Sequence, residues 1–265
     1  MEKLILIKLG GSVITDKSKP FVARLGVIKR LVGEIKQAVK IYKGKILIGH
    51  GSGSFGHTVA AKYKTQEGIV NKDSIKGFSL TADAAVKINR IVVNECLLLG
   101  LSVVSFSPLS FIYSKDTKPL VVLTSQIKKA LEIGLIPVIY GDVIMDETTG
   151  FCIYSGEKTL DLLASELSKY YKVDKIIMVG DTDGVWDKEG KTIAKITPRD
   201  FSGIKKSLTG TKTADVTGGM LHKVKESLNL AKKENISTVI INGNKKGNLH
   251  RAILGKEADS TVLGN

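Results

Sequence analysis

The chain has 265 residues, 43% hydrophobic and 25% charged, a globular composition that excludes a disordered or fibrous polypeptide. Forty Lys and Arg against 26 Asp and Glu give a formal charge of +14, so anionic ligands are expected: nucleic acid, a membrane surface or a phosphorylated small molecule. Two cysteines, Cys96 and Cys152, cannot build a disulfide framework or a cysteine zinc site alone, and a cytoplasmic setting is expected. The first apolar run ends after six residues at Lys8, and the stretch 91–112 is broken by Asn94, Glu95, Gly100 and Pro108, so neither a signal peptide nor a membrane span is predicted.

Along the chain, 4–9 reads as a buried strand closed by Gly10 and Gly11, and 28–39 as an amphipathic helix. A second strand at 46–48 runs into a glycine loop at 49–56. A long helix covers 74–99, followed by a strand at 103–106, a helix at 123–133 and a strand at 136–140. Residues 146–150 form a turn between two short β segments. A helix at 159–170, a strand at 175–179 and a β-rich excursion at 185–196 come next. A helix after Gly219, a strand at 238–241 and a short strand at 261–263 close the chain. This alternation predicts an α/β fold: a three-layer αβα sandwich around an open, mostly parallel sheet, built as one domain over 1–265 whose two parts flank a cleft.

Ligands of such sheets bind beyond the carboxyl ends of the strands. Those ends carry Lys8 to Ser12, then 49–57 (GHGSGSFGH), then Gly141 and Asp142, then 180–184 (GDTDG). Four glycine-bearing loops on one sheet edge point to a polyphosphate site, because glycine lets backbone N–H groups approach phosphate oxygens. The run 51–56 matches G-x-G-x-x-G, but the polar stretch 58–76 lacks the strand a dinucleotide fold requires, and no Walker pattern occurs. Lys8, the last inward position of an apolar strand, is costly to bury without an anion. Lys17 and Lys223, by position alone, are as consistent with a solvated face as with a site.

Together, 8–17 (KLGGSVITDK), 50–57 (HGSGSFGH), 76–78 (KGF), 140–143 (YGDV), 154–156 (YSG), 215–220 (DVTGGM) and 242–244 (NGN) resemble, in order, the isopentenyl phosphate kinases of the amino acid kinase superfamily. The resemblance runs from the first strand to about Gly255. It implies phosphorylation of isopentenyl phosphate to the diphosphate, with ATP and Mg²⁺ as cofactors, a homodimer, and no nucleic-acid or membrane partner. The part at about 1–170 would bind the acceptor and that at about 171–265 the nucleotide. Lys8 and Lys17 would stabilise the transferring phosphates, and Lys223 would bind the nucleotide. Gly10, Gly11, Ser12, Gly53 and Gly219 would supply backbone amides, with Asp181 on the nucleotide side. His57 and the amides of Ser52 and Gly156 would hold the acceptor phosphate, since a histidine can donate to a phosphate oxygen. No acidic cluster reads as a metal cage, so Mg²⁺ would ride on ATP oxygens and water. Ala82, Ala85, Val86, Ile88 and Asn89 are proposed as one wall for the hydrocarbon tail.

The chain departs from the family pattern twice. Residues 155–158 (SGEK) stand where the resemblance leads one to expect S-G-D-D, leaving Glu157 to organise the catalytic lysines. Ser52 replaces a glycine, which predicts a stiffer loop and slower turnover. Two alternatives stay open: a related kinase acting on another phosphate, on a phosphonate such as fosfomycin or on a carboxylate, and a non-catalytic nucleic-acid binder.

Overall fold

A computed structural model describes residues 1–208 and 214–265, with side chains between 205 and 218 left aside. Twelve strands and nine α-helices lie within the described residues. In chain order they are β1 (Lys3–Leu9), α1 (Gly11–Ile14), α2 (Leu25–Val39), β2 (Lys45–His50), α3 (Gly53–Tyr63), α4 (Ser74–Leu98), β3 (Val103–Phe106), β4 (Ile112–Lys115), β5 (Lys118–Val122) and α5 (Ser125–Glu132). There follow β6 (Ile136–Tyr140), β7 (Asp142–Asp146), β8 (Gly150–Tyr154), α6 (Gly156–Ser168), β9 (Lys172–Gly180), β10 (Lys195–Ile196), α7 (Phe201–Leu208), α8 (Ala214–Glu234), β11 (Ser237–Asn242), α9 (Asn248–Ile253) and β12 (Ser260–Leu263).

The central sheet has eight strands in the order β10-β12-β11-β9-β1-β2-β6-β3. All pairings are parallel except β11 with β12. β1 is apolar on both faces, and its period of two divides the core. Leu4 and Leu6 pack with Leu160, Leu163 and Leu167 of α6 and Leu228 of α8. Ile5, Ile7 and Leu9 pack with α2, α4 and α9 through Ile28, Leu31, Ile88 and Leu249. Lys8 shares the parity of Leu4 and Leu6, so its side chain emerges on the α6 side. β2 lies to one side of β1 and β9 to the other, and a crevice opens where the connections part.

Several expectations need correction. The loop expected at 49–56 is shorter, because α3 already begins at Gly53. The excursion at 185–196 holds only the Trp186–Thr192 bridge and β10. β4, β5, β7 and β8 form a second, four-stranded sheet, of which sequence patterning showed only the β7–β8 turn. α8 begins at Ala214, ahead of the glycine pair: two glycines weaken a helix by about 1 kcal/mol each without stopping it.

One buried carboxylate fastens the last helix. Glu34 of α2 accepts from the N–H groups of Gly247 (3.0 Å), Leu249 (3.1 Å) and His250 (3.3 Å) at the start of α9, and from Arg30 at 2.7 Å. Glu34→Ala leaves the three backbone donors unpaired and Arg30 without its carboxylate, with the Gly243 carbonyl as its remaining partner among the described residues. It should cost about 3–5 kcal/mol in urea unfolding, whereas an exposed pair such as Lys87–Asp83 should matter by under about 1 kcal/mol.

Candidate active site

The first turns of α1, α3 and α6 meet at the carboxyl edge of β1, β2 and β6, and glycines make the meeting possible. A Cβ on Gly11 would lie 2.6 Å from the Gly53 nitrogen, one on Gly141 2.8 Å from the Gly156 nitrogen, and one on Gly156 2.6 Å from the His50 carbonyl. Gly53 also has φ +50°, where a side chain is strained. Thr15 laces the first two loops: its hydroxyl donates to the Gly11 carbonyl at 2.7 Å and accepts from the Ser54 N–H at 3.0 Å. Sequence reading quoted Thr15 inside a motif without giving it a task. Its signal was a hydroxyl four residues after a glycine whose carbonyl ends a short helix.

The N–H groups of Gly11, Ser12, Gly53 and Gly156 are at helix starts and have no acceptor among the described residues. Three positive helix ends directed at one place suit an anion. Two glycines assigned amides do not fit. The Gly10 N–H is committed to the Val179 carbonyl at 2.8 Å, so Gly10 serves close packing of β1 on β9 instead. Gly219 lies inside α8, where its N–H belongs to the helical ladder and a Cβ would meet nothing within 4 Å.

Ser52 costs the loop nothing. Its φ of −78° and ψ of −16° are open to any L-residue, which removes the physical basis for expecting a slower enzyme. Its hydroxyl occupies the space that a Cβ on Gly56 would need, 2.4 Å away, so serine at 52 requires glycine at 56.

Charge is concentrated on Glu157. The buried Lys8 ammonium donates to its carboxylate, and the Lys223 ammonium lies 3.5 Å from the same oxygen. Burial lowers the pKa of Lys8, and the Glu157 charge opposes that fall. Burial would raise Glu157, but the two lysines outweigh it and hold the carboxyl below its ordinary value. Lys17 reaches from the loop after α1 to Asp181 after β9, at 3.1 Å, with both groups exposed. Lys223 also acts on Asp181, so the two ion pairs are electrostatically continuous.

His57 is exposed, one turn into α3 rather than in a loop. His50, by contrast, is buried between the Gly51 carbonyl and Asn89, both at 3.1 Å, and stacks on Tyr140: it is a structural residue under the loops. The expected tail wall fares poorly. Ile88 packs in the core, Asn89 is spent on His50 and Ser105, and Val86 faces solvent. Lys158 is exposed, its ammonium 6.0 Å over the Tyr154 ring. Beside Glu157 a cleft of about 390 Å³ opens between α6 and α8, lined by Tyr154, Asp161, Met178 and Lys223 among others. Asp161 escaped the sequence reading, although its place four residues after Glu157 puts both on one helix face.

The arrangement offers two lysines sharing a carboxylate, an array of helix-start amides and a second lysine–aspartate pair across the crevice. Such an arrangement suits a polyphosphate, whose charge it could neutralise. The sequence profile of the Amino acid kinase family matches residues 3–242. The chain belongs to the amino acid kinase family. It is an α/β phosphotransferase of that fold. This amino acid kinase is 35% identical to the isopentenyl phosphate kinase of Methanocaldococcus jannaschii, over 98% of each chain. It is also 35% identical to that of Methanothermobacter thermautotrophicus, again over 98% of each. A solved isopentenyl phosphate kinase structure superposes with a TM-score of 0.82 at 30% identity, covering 98% of this kinase and 99% of the other chain.

Proposed function

We propose that the chain transfers the γ-phosphoryl group of ATP to isopentenyl phosphate, giving isopentenyl diphosphate and ADP. The observation that carries this reading is 35% identity, end to end, with kinases named for that substrate. An oxygen of the acceptor phosphate attacks the γ-phosphorus; the new P–O bond forms as the bond to the β–γ bridging oxygen breaks, and ADP leaves with the electron pair. The attacking oxygen is already ionised, so no general base is required, and the protein contributes position and charge.

In this reading Lys8 and Lys17 stabilise the charge on the transferring group, and Lys223 binds the nucleotide phosphates. Glu157 keeps Lys8 and Lys223 at a fixed spacing. The amides of Gly11, Ser12 and Gly53 face phosphate oxygens, Asp181 borders the nucleotide, and His57 with the amides of Ser52 and Gly156 holds the acceptor phosphate. The acceptor lies on the side of residues 1–170 and the nucleotide on that of 171–265. Among the described residues no three His, Cys, Asp or Glu side chains are grouped to hold a metal ion. Mg²⁺ is therefore taken to arrive as part of MgATP, and no protein ligand for it is assigned. No helix among the described residues is long and apolar enough to cross a membrane. We take the kinase to act in the cytoplasm as a homodimer, which light scattering of the purified protein tests.

The test of the reaction is ADP release with isopentenyl phosphate, dimethylallyl phosphate, fosfomycin and glutamate as acceptors. Turnover of isopentenyl phosphate should exceed that of fosfomycin and glutamate. A preference for either of those would overturn the substrate assignment and leave the kinase assignment standing.

A further inference from the structure

Asp161 is a carboxyl at the site that the proposed reaction leaves without a task. It stands one helical turn after Glu157 on α6 and lines the same cleft. Its Oδ1 is buried with no hydrogen-bond partner among the described residues, an arrangement a carboxylate tolerates poorly. The groups that face it come from four elements: Lys8 of β1, Tyr154 of β8, Glu157 and Lys158 of α6, and His222, Lys223 and Glu226 of α8. Met178 of β9 supplies an apolar wall. With every carboxyl ionised, Glu157, Asp161 and Glu226 would set three negative charges around the ammonium groups of Lys8 and Lys223. A cleft beside bound phosphates is ill served by that balance.

We propose that Asp161 is a positioning residue for phosphoryl transfer, which acts through its charge state on how Lys8 divides itself between Glu157 and the phosphates. Uncharged, it leaves Lys8 with a single carboxylate partner and its full field for the substrates. Ionised, it draws on the same ammonium from one turn below and weakens that field. Burial raises its pKa to about 7, assisted by Glu157 and Glu226 and opposed by Lys8. The change of charge therefore falls in the working range of pH. The role rests on the kinase reading, and departs from it only in this residue.

The test is the pH dependence of kcat/KM for isopentenyl phosphate in the wild type and in Asp161→Asn, an uncharged residue of the same shape. In the wild type kcat/KM should fall about three- to ten-fold between about pH 6.5 and about pH 8.5, and in Asp161→Asn that fall should vanish while the rise at lower pH, which belongs to the substrate phosphate, stays. Glu226→Gln removes a charge that raises Asp161, so it should move the fall to lower pH. His222→Gln should leave the fall in place; its loss there would assign the titration to His222 and overturn the proposal. Profiles of identical shape in wild type and Asp161→Asn would overturn it too, even if all rates dropped together, because a purely structural residue changes height and not shape. Failure of every variant and the wild type to turn over isopentenyl phosphate would instead strike the substrate assignment.

A second readout needs no turnover. The folded-state pKa of Asp161 is raised above the unfolded value, so between about pH 4 and about pH 7 the folded chain holds a proton that the unfolded chain has released, and stability falls as pH rises through that window. The Tm of Asp161→Asn relative to wild type should therefore be near zero close to pH 4 and climb by about 3–8 °C by pH 8. A Tm difference independent of pH would mean that Asp161 does not titrate as required, and would overturn the proposal.

Discussion

Lys8→Met is expected to lower kcat by about 10²–10³ while the affinity for ATP changes far less. The substitution keeps the length and volume of a side chain that β1 buries and removes only its charge. Glu157 retains Lys223 at 3.5 Å, so its carboxylate is not abandoned and the fold should persist. What is lost is an ammonium at the end of a buried strand, which the proposed mechanism sets against the negative charge that moves during transfer. Glu157→Gln tests the same unit from its other member: it releases Lys8 and Lys223 from a common anchor and should also depress kcat. The double variant should be scarcely slower than Lys8→Met, since the residues act together. Steady-state and single-turnover rates decide the matter, and an unimpaired Lys8→Met would remove the residue from the mechanism.

His57→Ala should raise the KM for isopentenyl phosphate and leave that for ATP nearly unchanged. A hydrogen bond to a charged group contributes about 1.5–3 kcal/mol, which corresponds to roughly 10- to 150-fold in kcat/KM. The ring is exposed on the first turn and a half of α3, a helix whose start is locked by Gly53 and Thr15, so truncation should leave the loop intact. Part of the loss belongs in kcat if the same contact aligns the attacking oxygen. An equal rise in both KM values, or none for the acceptor, would make His57 a surface residue and leave substrate choice to other groups.

Much of this was legible in the sequence, for reasons that can be named. The long helix α4 and the strands β3 and β6 were readable because their apolar periods are uninterrupted. Lys8 stood out because a charge in the run LILIKL is costly to bury without an anionic partner. Gly53 misled: followed by serine, phenylalanine and glycine it reads as loop, yet its positive φ serves the tight entry to α3, and the helix draws its stability from contacts that single-sequence periodicity does not contain. β4 and β5 were missed because the exposed face of a small sheet leaves Tyr113, Leu120 and Val121 in no clear alternation. Gly10 and Gly219 were assigned free amides by resemblance, whereas the partner of a backbone N–H depends on strand and helix register. The ion pairs of Glu157 came from resemblance; Asp161, which no motif covers, needed coordinates.

The seam between Gly11 and Gly53 carries a mechanical consequence. Two loops with no room for a single methyl group between them are in direct backbone contact, and Thr15 bonds to both sides. The separation between whatever each loop holds is thus set by packing that the two glycines make possible, closer to a gauge block than to a jaw. A catalyst of this kind does not need to measure out its reaction distance afresh in each cycle. The outer turns of α3 lie beyond this seam, so on the proposed mechanism substitutions there would change the acceptor side while leaving the spacing of the two loops as it is.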